Sequence, residues 1–182
     1  MNTSIFKSIS LVLAALPFFM DAQTSKVDQF FTKYSQMEGY TSVEITKGLF
    51  ELFTEIDADD PDFEDFQKAV SGLESLKLLS CSSEDGNAGL KAKFQSDVKS
   101  SIPFSEYKEL MVVKDKDANI NFYAKNSNQI ITEMLMSVDG PDEAVLLYLK
   151  GNIDLNRIAK LAKVINLEGM NHLGVIKPGN KR

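Results

Sequence analysis

The spacing of apolar residues changes along the chain, and this change separates a helix-rich part from a strand-rich part. Four segments of the first part repeat their apolar side chains every three or four positions, which predicts amphipathic helices. These segments are residues 24–36, 49–56, 61–73 and 90–102. Two short strands are predicted between the helices, at residues 40–45, where Val43 and Ile45 share one face, and at the apolar run 76–81.

From residue 109 onward the apolar period shortens to two, which is typical of strands. Four strands are predicted, at residues 109–114, 120–124, 130–138 and 143–149. The short breaks between them are rich in Asp, Asn, Gly and Pro, so the strands are expected to form an antiparallel meander. Gly151 and Asn152 are expected to close the meander, and Asp154 to cap a last helix over residues 154–165.

This order of elements predicts an α+β fold, in which a four-stranded antiparallel C-terminal meander accompanies two strands interleaved with helices. The helices are expected to pack on one face of the sheet. A chain of 182 residues without internal repeats is expected to form a single domain, here residues 23–173. Residues 174–182 are expected to form a flexible tail.

The first residues have the pattern of a secretory signal peptide. Lys7 precedes ten apolar residues, 11–20, and the small residue Ala22 precedes Gln23. A run of that length is well short of the roughly 18–20 apolar residues that span a bilayer, so no membrane span is expected after cleavage of residues 1–22. The pattern therefore predicts a periplasmic or secreted protein, cut between Ala22 and Gln23.

The composition argues against several kinds of function. The formal net charge is −6, which disfavours a nucleic-acid or anionic-membrane partner. Cys81 and His172 are the only residues of their types, which excludes an intrachain disulfide and a His/Cys zinc site. Cys81 ends an apolar run and is interpreted as a core residue, and His172 as structural or solvent-facing. No catalytic residue, cofactor or metal ligand is assigned.

Two polar stretches match binding motifs only in part. Residues 55–65 hold seven acids, but an EF-hand that starts at the first Asp needs Gly and Glu where this chain has Asp62 and Lys68. A helix that begins at Pro61 explains these acids, and a weak cation site is the alternative. Residues 82–86 follow a strand, but their acids would repel phosphate, so they are interpreted as a loop.

The last two predicted strands carry apolar side chains on both faces. One face is expected to pack under the helices, whereas a second, solvated face would normally be polar. Three explanations are open for that second face: further helices, a docked partner, or a lipid or small-molecule pocket. The candidate residues for an interaction face are Met134, Met136, Leu146 and Tyr148.

Several separated stretches together resemble a known family. They are FFTKYSQMEGYTSVEITKGLFELF (30–53), ESLKLLSC (74–81), FSEYKELMVVKD (104–115) and LLYLKGNIDLNRIAKLAKVINLEGM (146–170). In this order they are similar to the exported Bacteroidota family catalogued as domain of unknown function 4252. The resemblance implies a small secreted or periplasmic protein with no catalytic residues to transfer, and genes near extracytoplasmic sigma-factor systems imply a role in envelope signalling or stress. Some members are lipoproteins, but this chain has no Cys near the predicted cut, so no lipid anchor is expected.

Three functional hypotheses follow. The leading one is an exported, non-enzymatic protein that acts through contacts with an envelope protein or with a second copy of itself. The alternative is a periplasmic carrier of a small apolar ligand, which requires a closed apolar cavity of roughly 300 Å³ or more. A more remote alternative is a carboxylate-dependent hydrolase, which requires two acids that converge in a cleft.

Overall fold

The computed structural model describes residues 24–156, apart from residues 58, 84–87, 115, 117, 128 and 129. Its helices are α1 (Lys26–Tyr34), α2 (Lys47–Glu55), α3 (Pro61–Val70) and α4 (Ala88–Ser101). Its strands are β1 (Thr41–Thr46), β2 (Leu73–Ser82), β3 (Lys108–Lys114), β4 (Asn119–Ser127), β5 (Ile130–Asp139) and β6 (Glu143–Ile153). Within these described ranges, every helix is too short or too polar to cross a bilayer.

The strands form one antiparallel sheet in the order β1-β2-β6-β5-β4-β3. The predicted meander is confirmed, because β3, β4, β5 and β6 pair in sequence order. The sheet then continues from β6 to β2 and from β2 to β1, so the two early strands extend the meander. The predicted α+β fold is therefore confirmed, and β1 and β3 are the edge strands of this sheet.

Helices cover both faces of the sheet, which corrects the prediction that they pack on one face. On the α2 face, Phe50 of α2 and Val70 of α3 pack with sheet residues such as Phe122 and Leu147. On the opposite face, here called the α1 face, α1 and α4 pack with the alternate residues of the same strands. Strands with apolar side chains on both sides need cover on both sides, and further helices provide it here.

The first helix begins at a well-formed cap. The Ser25 hydroxyl accepts a hydrogen bond from the Asp28 amide (3.0 Å), and the Asp28 carboxylate suits the positive end of the helix. The Tyr34 hydroxyl donates a hydrogen bond to the Asp97 carboxylate, which ties α1 to α4. The buried side chains of α1 are Val27, Phe30, Phe31 and Tyr34.

Two element boundaries differ from the prediction, and both lie beside glycines. Leu73 begins β2 instead of ending the third helix, because a turn at Gly72 separates the two elements. The strand β6 continues through Gly151 to Ile153 instead of ending before Gly151. Gly151 has φ +137°, and the neighbouring Asn152 amide donates a hydrogen bond to the Gly72 carbonyl (2.7 Å). This close approach of two backbones keeps β6 paired past the glycine.

Asp154 caps the next helix as predicted, since its carboxylate accepts a hydrogen bond from the Asn156 amide (2.9 Å). Leu155 and Asn156 are the described residues of that helix. The remainder of the predicted helix, the predicted tail and signal peptide, and His172 lie outside the described residues.

Candidate functional site

The four residues predicted as an interaction face are buried. The exposed fraction is 0% for Met134 and Leu146, 3% for Met136 and 1% for Tyr148. They also divide between two cores, because Met134 and Met136 pack on the α2 face and Leu146 and Tyr148 on the α1 face. This prediction is therefore corrected: helices fill the space beside β5 and β6, and the four side chains form no common exposed surface.

The tyrosine of this set is held inside by a polar network. The Glu133 carboxylate accepts hydrogen bonds from the hydroxyls of Tyr107 (2.5 Å) and Tyr148 (2.9 Å). Burial raises the pKa of both tyrosines, and the bonded carboxylate raises it further, so both hydroxyls remain donors at neutral pH. Lys125 contacts both Glu133 (3.9 Å) and Glu106 (3.2 Å). An ammonium group that contacts both carboxylates partly neutralises them, which is typical of a structural network.

The other residues weighed in the sequence are placed as follows. Cys81 is 1% exposed in the core of the α1 face, and burial raises the pKa of its thiol, which keeps it in the less reactive protonated form. At the acidic stretch, α3 begins at Pro61, and the Asp60 carbonyl accepts a hydrogen bond from the Glu64 amide (3.0 Å). The helix-start interpretation of these acids is therefore confirmed. In the part of the chain that the structure describes, His, Cys, Asp and Glu form no group of three or more suited to a metal ion.

A largely exposed strand, β1, forms one edge of the sheet. Five of its six residues are exposed, whereas the meander strands β4, β5 and β6 all bury several residues. Its side chains alternate between the two faces, with Val43 and Ile45 on the α2 face and Ser42 and Glu44 on the α1 face. A strand at a sheet edge has unpaired backbone donors and acceptors along one side, which are available to a further strand.

A recess of about 250 Å³ lies between β1 and α1. It is lined by Phe31 and Thr32 of α1, by Ser35 and Gln36 just after α1, by Ser42, Val43 and Glu44 of β1, and by Lys77 of β2. Extended peptides often bind by adding a strand to an exposed sheet edge, with pockets beside that edge receiving alternate side chains. The recess therefore gives the open edge of β1 a place for the side chains of an added strand.

An exposed apolar stripe lies on α2. The exposed fraction is 40% for Leu49, 59% for Leu52 and 47% for Ile56, which directly follows the helix. The spacing of three and four places them on one side of α2, while Phe50 is buried in the core. We use the name β1 docking surface for β1, the recess beside it and this α2 stripe.

The stripe and the strand are held on the same side of the sheet. Val43 is 44% exposed and lies on the α2 face, where α2 also packs. Gln67 of α3 donates hydrogen bonds to the carbonyls of Phe53 (2.9 Å) and Ile56 (2.6 Å), which fixes the end of α2. The sequence predicted an amphipathic helix over these residues but did not separate its buried side from its exposed one. Its five apolar residues in eight positions cover a wider arc than one buried side needs, and this was the signal for a second, exposed side.

The opposite edge strand, β3, has features that discourage strand addition. Its pairing with β4 shifts register between Glu109 and Met111, and exposed lysines stand at its two ends, Lys108 and Lys114. Bulges and lysines are the devices by which natural sheets block edge-to-edge pairing. The strand β1 pairs with β2 without a register shift and contains neither Lys nor Pro. Of these two edge strands, β1 is therefore the one that lacks these obstacles to pairing with a further strand.

The charge beside β1 is set by Lys77. Its ammonium contacts the carboxylates of Asp28 (2.8 Å) and Glu44 (3.4 Å), and its side chain is 15% exposed. Burial opposes the charged forms, but hydrogen bonding and attraction between the partners outweigh it, so the pKa of Lys77 is raised and the pKa of Asp28 is lowered. The ion pair between Lys77 and Asp28 links the start of α1 to β2 and so fixes the position of α1 relative to β1.

The substitution Asp28→Asn is expected to lower the free energy of unfolding at pH 7 by about 1–3 kcal/mol, because it leaves a half-buried ammonium with one fewer carboxylate. A carboxyl with a lowered pKa stabilises the fold above its ordinary value of 3.8 and loses that effect as pH falls through its folded-state pKa. Urea unfolding from pH 2 to 7 should therefore show the two proteins converging in acid.

The matched control is Glu51→Gln, which breaks an exposed pair with Lys47 (3.0 Å) and should change stability by less than about 1 kcal/mol. A constant difference between wild type and Asp28→Asn at every pH would contradict the assigned role of Asp28.

A second groove, of about 380 Å³, lies between α4 and the meander strands β3 to β6. Its lining includes Phe94 and Val98 of α4 and the cross-strand polar pair Asn121 and Ser137. The groove is open to solvent and mixes polar with apolar groups. It therefore differs from the closed apolar cavity that the carrier hypothesis requires.

Together these features define an α+β protein with an antiparallel sheet that helices cover on both faces, and in the part of the chain that the structure describes its edge strand β1 is open to a further strand. A family model described as "Domain of unknown function (DUF4252)" matches residues 34–161, so the chain belongs to this family. The match includes β1 and α2 and most of the recess lining. Neither the search of curated proteins nor that of solved structures gave a match.

Proposed function

We propose that this chain is an exported, non-enzymatic protein that acts in the cell envelope by binding another protein chain through the β1 docking surface. The observation that carries the proposal is the conjunction of an open strand edge, a recess beside it and an exposed apolar stripe on the same side as Val43. Backbone pairing along an edge supplies affinity, and the side pockets supply specificity. The resemblance to the family, which implies a secreted or periplasmic protein, supports the location.

Export is supported by the pattern of residues 1–22 and has a direct test. Expression of the full chain in a bacterium with an outer membrane is expected to yield a periplasmic protein whose N-terminus is Gln23. Intact-mass measurement of the periplasmic fraction checks this. Replacing Ala22 with Arg should leave the uncleaved precursor, since the cut requires a small residue at that position. Cytoplasmic protein that retains Met1 would contradict export.

Binding through the β1 docking surface is tested by photo-cross-linking in the cells that produce the protein. A photoreactive amino acid replaces Leu52 on the α2 stripe, which is 59% exposed. A second protein has it at Val112 on the β3 edge, which is 39% exposed and serves as the matched control. We expect one defined cross-linked product from position 52 and none above background from position 112.

A second substitution connects the product to the strand edge. Val43→Lys places a charge in the middle of β1, which is the natural means of blocking an edge. The product from position 52 should therefore disappear when Val43→Lys is added. Equal products from positions 52 and 112, or a product that persists with Val43→Lys, would contradict binding at this surface.

A further inference from the structure

The alternation of apolar and polar side chains along β1 indicates which kind of strand can pair with it. An added antiparallel strand needs apolar side chains opposite Val43 and Ile45 and polar ones opposite Ser42 and Glu44, because residues paired across two strands point to the same face. The β1 strand of a second copy has this alternation itself. We propose that the β1 docking surface joins two copies of this chain, edge to edge, about a two-fold axis at Val43. This inference rests on the proposed function, since it names the partner of the same surface.

The register follows from the alternation and from charge. Two identical antiparallel strands are related by a two-fold axis. Only when this axis passes beside a residue do side chains from the same face of the two copies lie opposite each other. A pair centred on Glu44 would set two carboxylates directly opposite each other, which is destabilising. A pair centred on Val43 sets Val43 against Val43 of the second copy and the Ser42 hydroxyl against the Glu44 carboxylate. It also uses more of the strand than a pair centred on Ser42.

Charges at the strand ends favour the same arrangement. Exposed Glu38 lies shortly before β1, and exposed Lys47 follows directly after it. In the register centred on Val43, Lys47 of one copy lies opposite Gly39 of the other, directly next to Glu38, and this happens at both ends of the paired strands. Each end therefore brings opposite charges together, although the chain as a whole has a net charge of −6.

The elements beside β1 are compatible with this pairing. The recess next to the edge is lined by uncharged residues of α1 and of the two positions after it, namely Phe31, Thr32, Ser35 and Gln36. On the other face, the two α2 stripes come to the same side of the joined sheet. Their exposed leucine and isoleucine side chains are then available for burial between the copies, which is the main favourable term in association.

Cysteine cross-linking tests the register. In Val43→Cys, the new thiols of two copies face each other, so mild oxidation of the purified protein from the full chain should give a disulfide-linked dimer. Val112→Cys on the β3 edge is the matched control and should remain monomeric under the same oxidation. The native Cys81 is 1% exposed, so the wild-type protein should also give no disulfide-linked dimer. Equal cross-linking at positions 43 and 112 would overturn the proposal.

A charge exchange tests the pairing without covalent bonds. Val43→Lys and Val43→Asp should each be monomeric by native mass spectrometry, because each places like charges at the axis, whereas an equimolar mixture should form the heterodimer. Their circular dichroism should match that of the wild type, since Val43 is 44% exposed. A wild type that is monomeric at every concentration measured, or a mixture that gives no heterodimer, would overturn self-pairing.

The outcomes distinguish this inference from the proposed function. If the wild type is monomeric but the Leu52 photoproduct contains a different protein and is lost with Val43→Lys, the docking surface stands and the second copy is the wrong partner. If the photoproduct is absent altogether, both the function and the inference are overturned. A photoproduct of twice the chain mass together with the Val43→Cys dimer supports both.

Discussion

Replacing Gly151 with Ala is expected to lower the free energy of unfolding by about 3–5 kcal/mol, which is at the upper end for a single substitution. A Cβ atom at this position would lie 2.3 Å from the Gly72 carbonyl oxygen and 2.8 Å from both the Glu74 amide nitrogen and the Leu73 Cα. All of these are backbone atoms, so no side-chain movement relieves the overlap. The φ of +137° adds backbone strain for any residue with a side chain.

The position of Gly151 makes this overlap hard to accommodate. It pairs with Leu73, where the register between β2 and β6 shifts, and both of these strands are interior strands of the sheet. Moving the backbone would disturb the hydrogen bond from Asn152 to Gly72 and the strand pairing around it. Urea unfolding followed by far-ultraviolet circular dichroism measures the loss, and failure to obtain folded protein would agree with it.

Gly89 provides the control for this substitution. It lies in α4, and a Cβ at Gly89 would meet no atom within 4 Å. Gly89→Ala should therefore be neutral or stabilise the protein by up to about 1 kcal/mol, because alanine favours a helix more than glycine does. If Gly151→Ala proved as stable as Gly89→Ala, the close backbone contact between β2 and β6 would be wrong.

Replacing Leu146 with Ala is expected to lower the free energy of unfolding by about 2–5 kcal/mol. Leu146 is 0% exposed and lies in the core of the α1 face, so truncation removes apolar contacts and leaves a cavity. Met134→Ala on the α2 face should have a loss in the same range, because Met134 is also 0% exposed. Thermal and urea unfolding measure both.

The control is Leu52→Ala, which removes the same side chain from a position that is 59% exposed. It should change stability by less than about 0.5 kcal/mol while weakening binding at the β1 docking surface. Leu146 and Leu52 thus separate a role in stability from a role in binding. If Leu146→Ala kept full stability but lost a binding partner, the interaction face predicted from sequence would be right and the assigned burial wrong.

Most elements were predictable because their evidence is local. The helices α1, α2 and α4 have apolar residues that repeat at helical spacing, and the four meander strands are separated by turn-forming residues. The cap at Asp154 was also predictable, because an Asp before a helix satisfies free amides within its own turn. The end of α3 was misplaced because Leu73 continues the helical spacing of apolar residues. In the structure the chain turns at Gly72, and Leu73 is the first residue of β2.

The candidate site was not predictable by the same reasoning. Alternation along β5 and β6 correctly indicated apolar side chains on both faces, but it contains no information on what covers each face. It also fails where the register of β5 shifts between Ile131 and Glu133, which places Ile131 on the α2 face. The exposed leucines of α2 had the same local pattern as a buried helix, because an apolar stripe looks alike whether or not another element packs on it.

The sequence by itself determined the order and type of the elements, the α+β class and the family, because periodicity, turn residues and family-specific segments are properties of neighbouring positions. The tertiary structure alone decided which of these elements share a face, which edge strand remains open, and that Lys77 meets Asp28 from 49 positions away. Burial depends on what packs against a residue, and that is set by the arrangement of the whole sheet and its helices. The same alternation that buries Leu146 therefore leaves Val43 exposed at the edge.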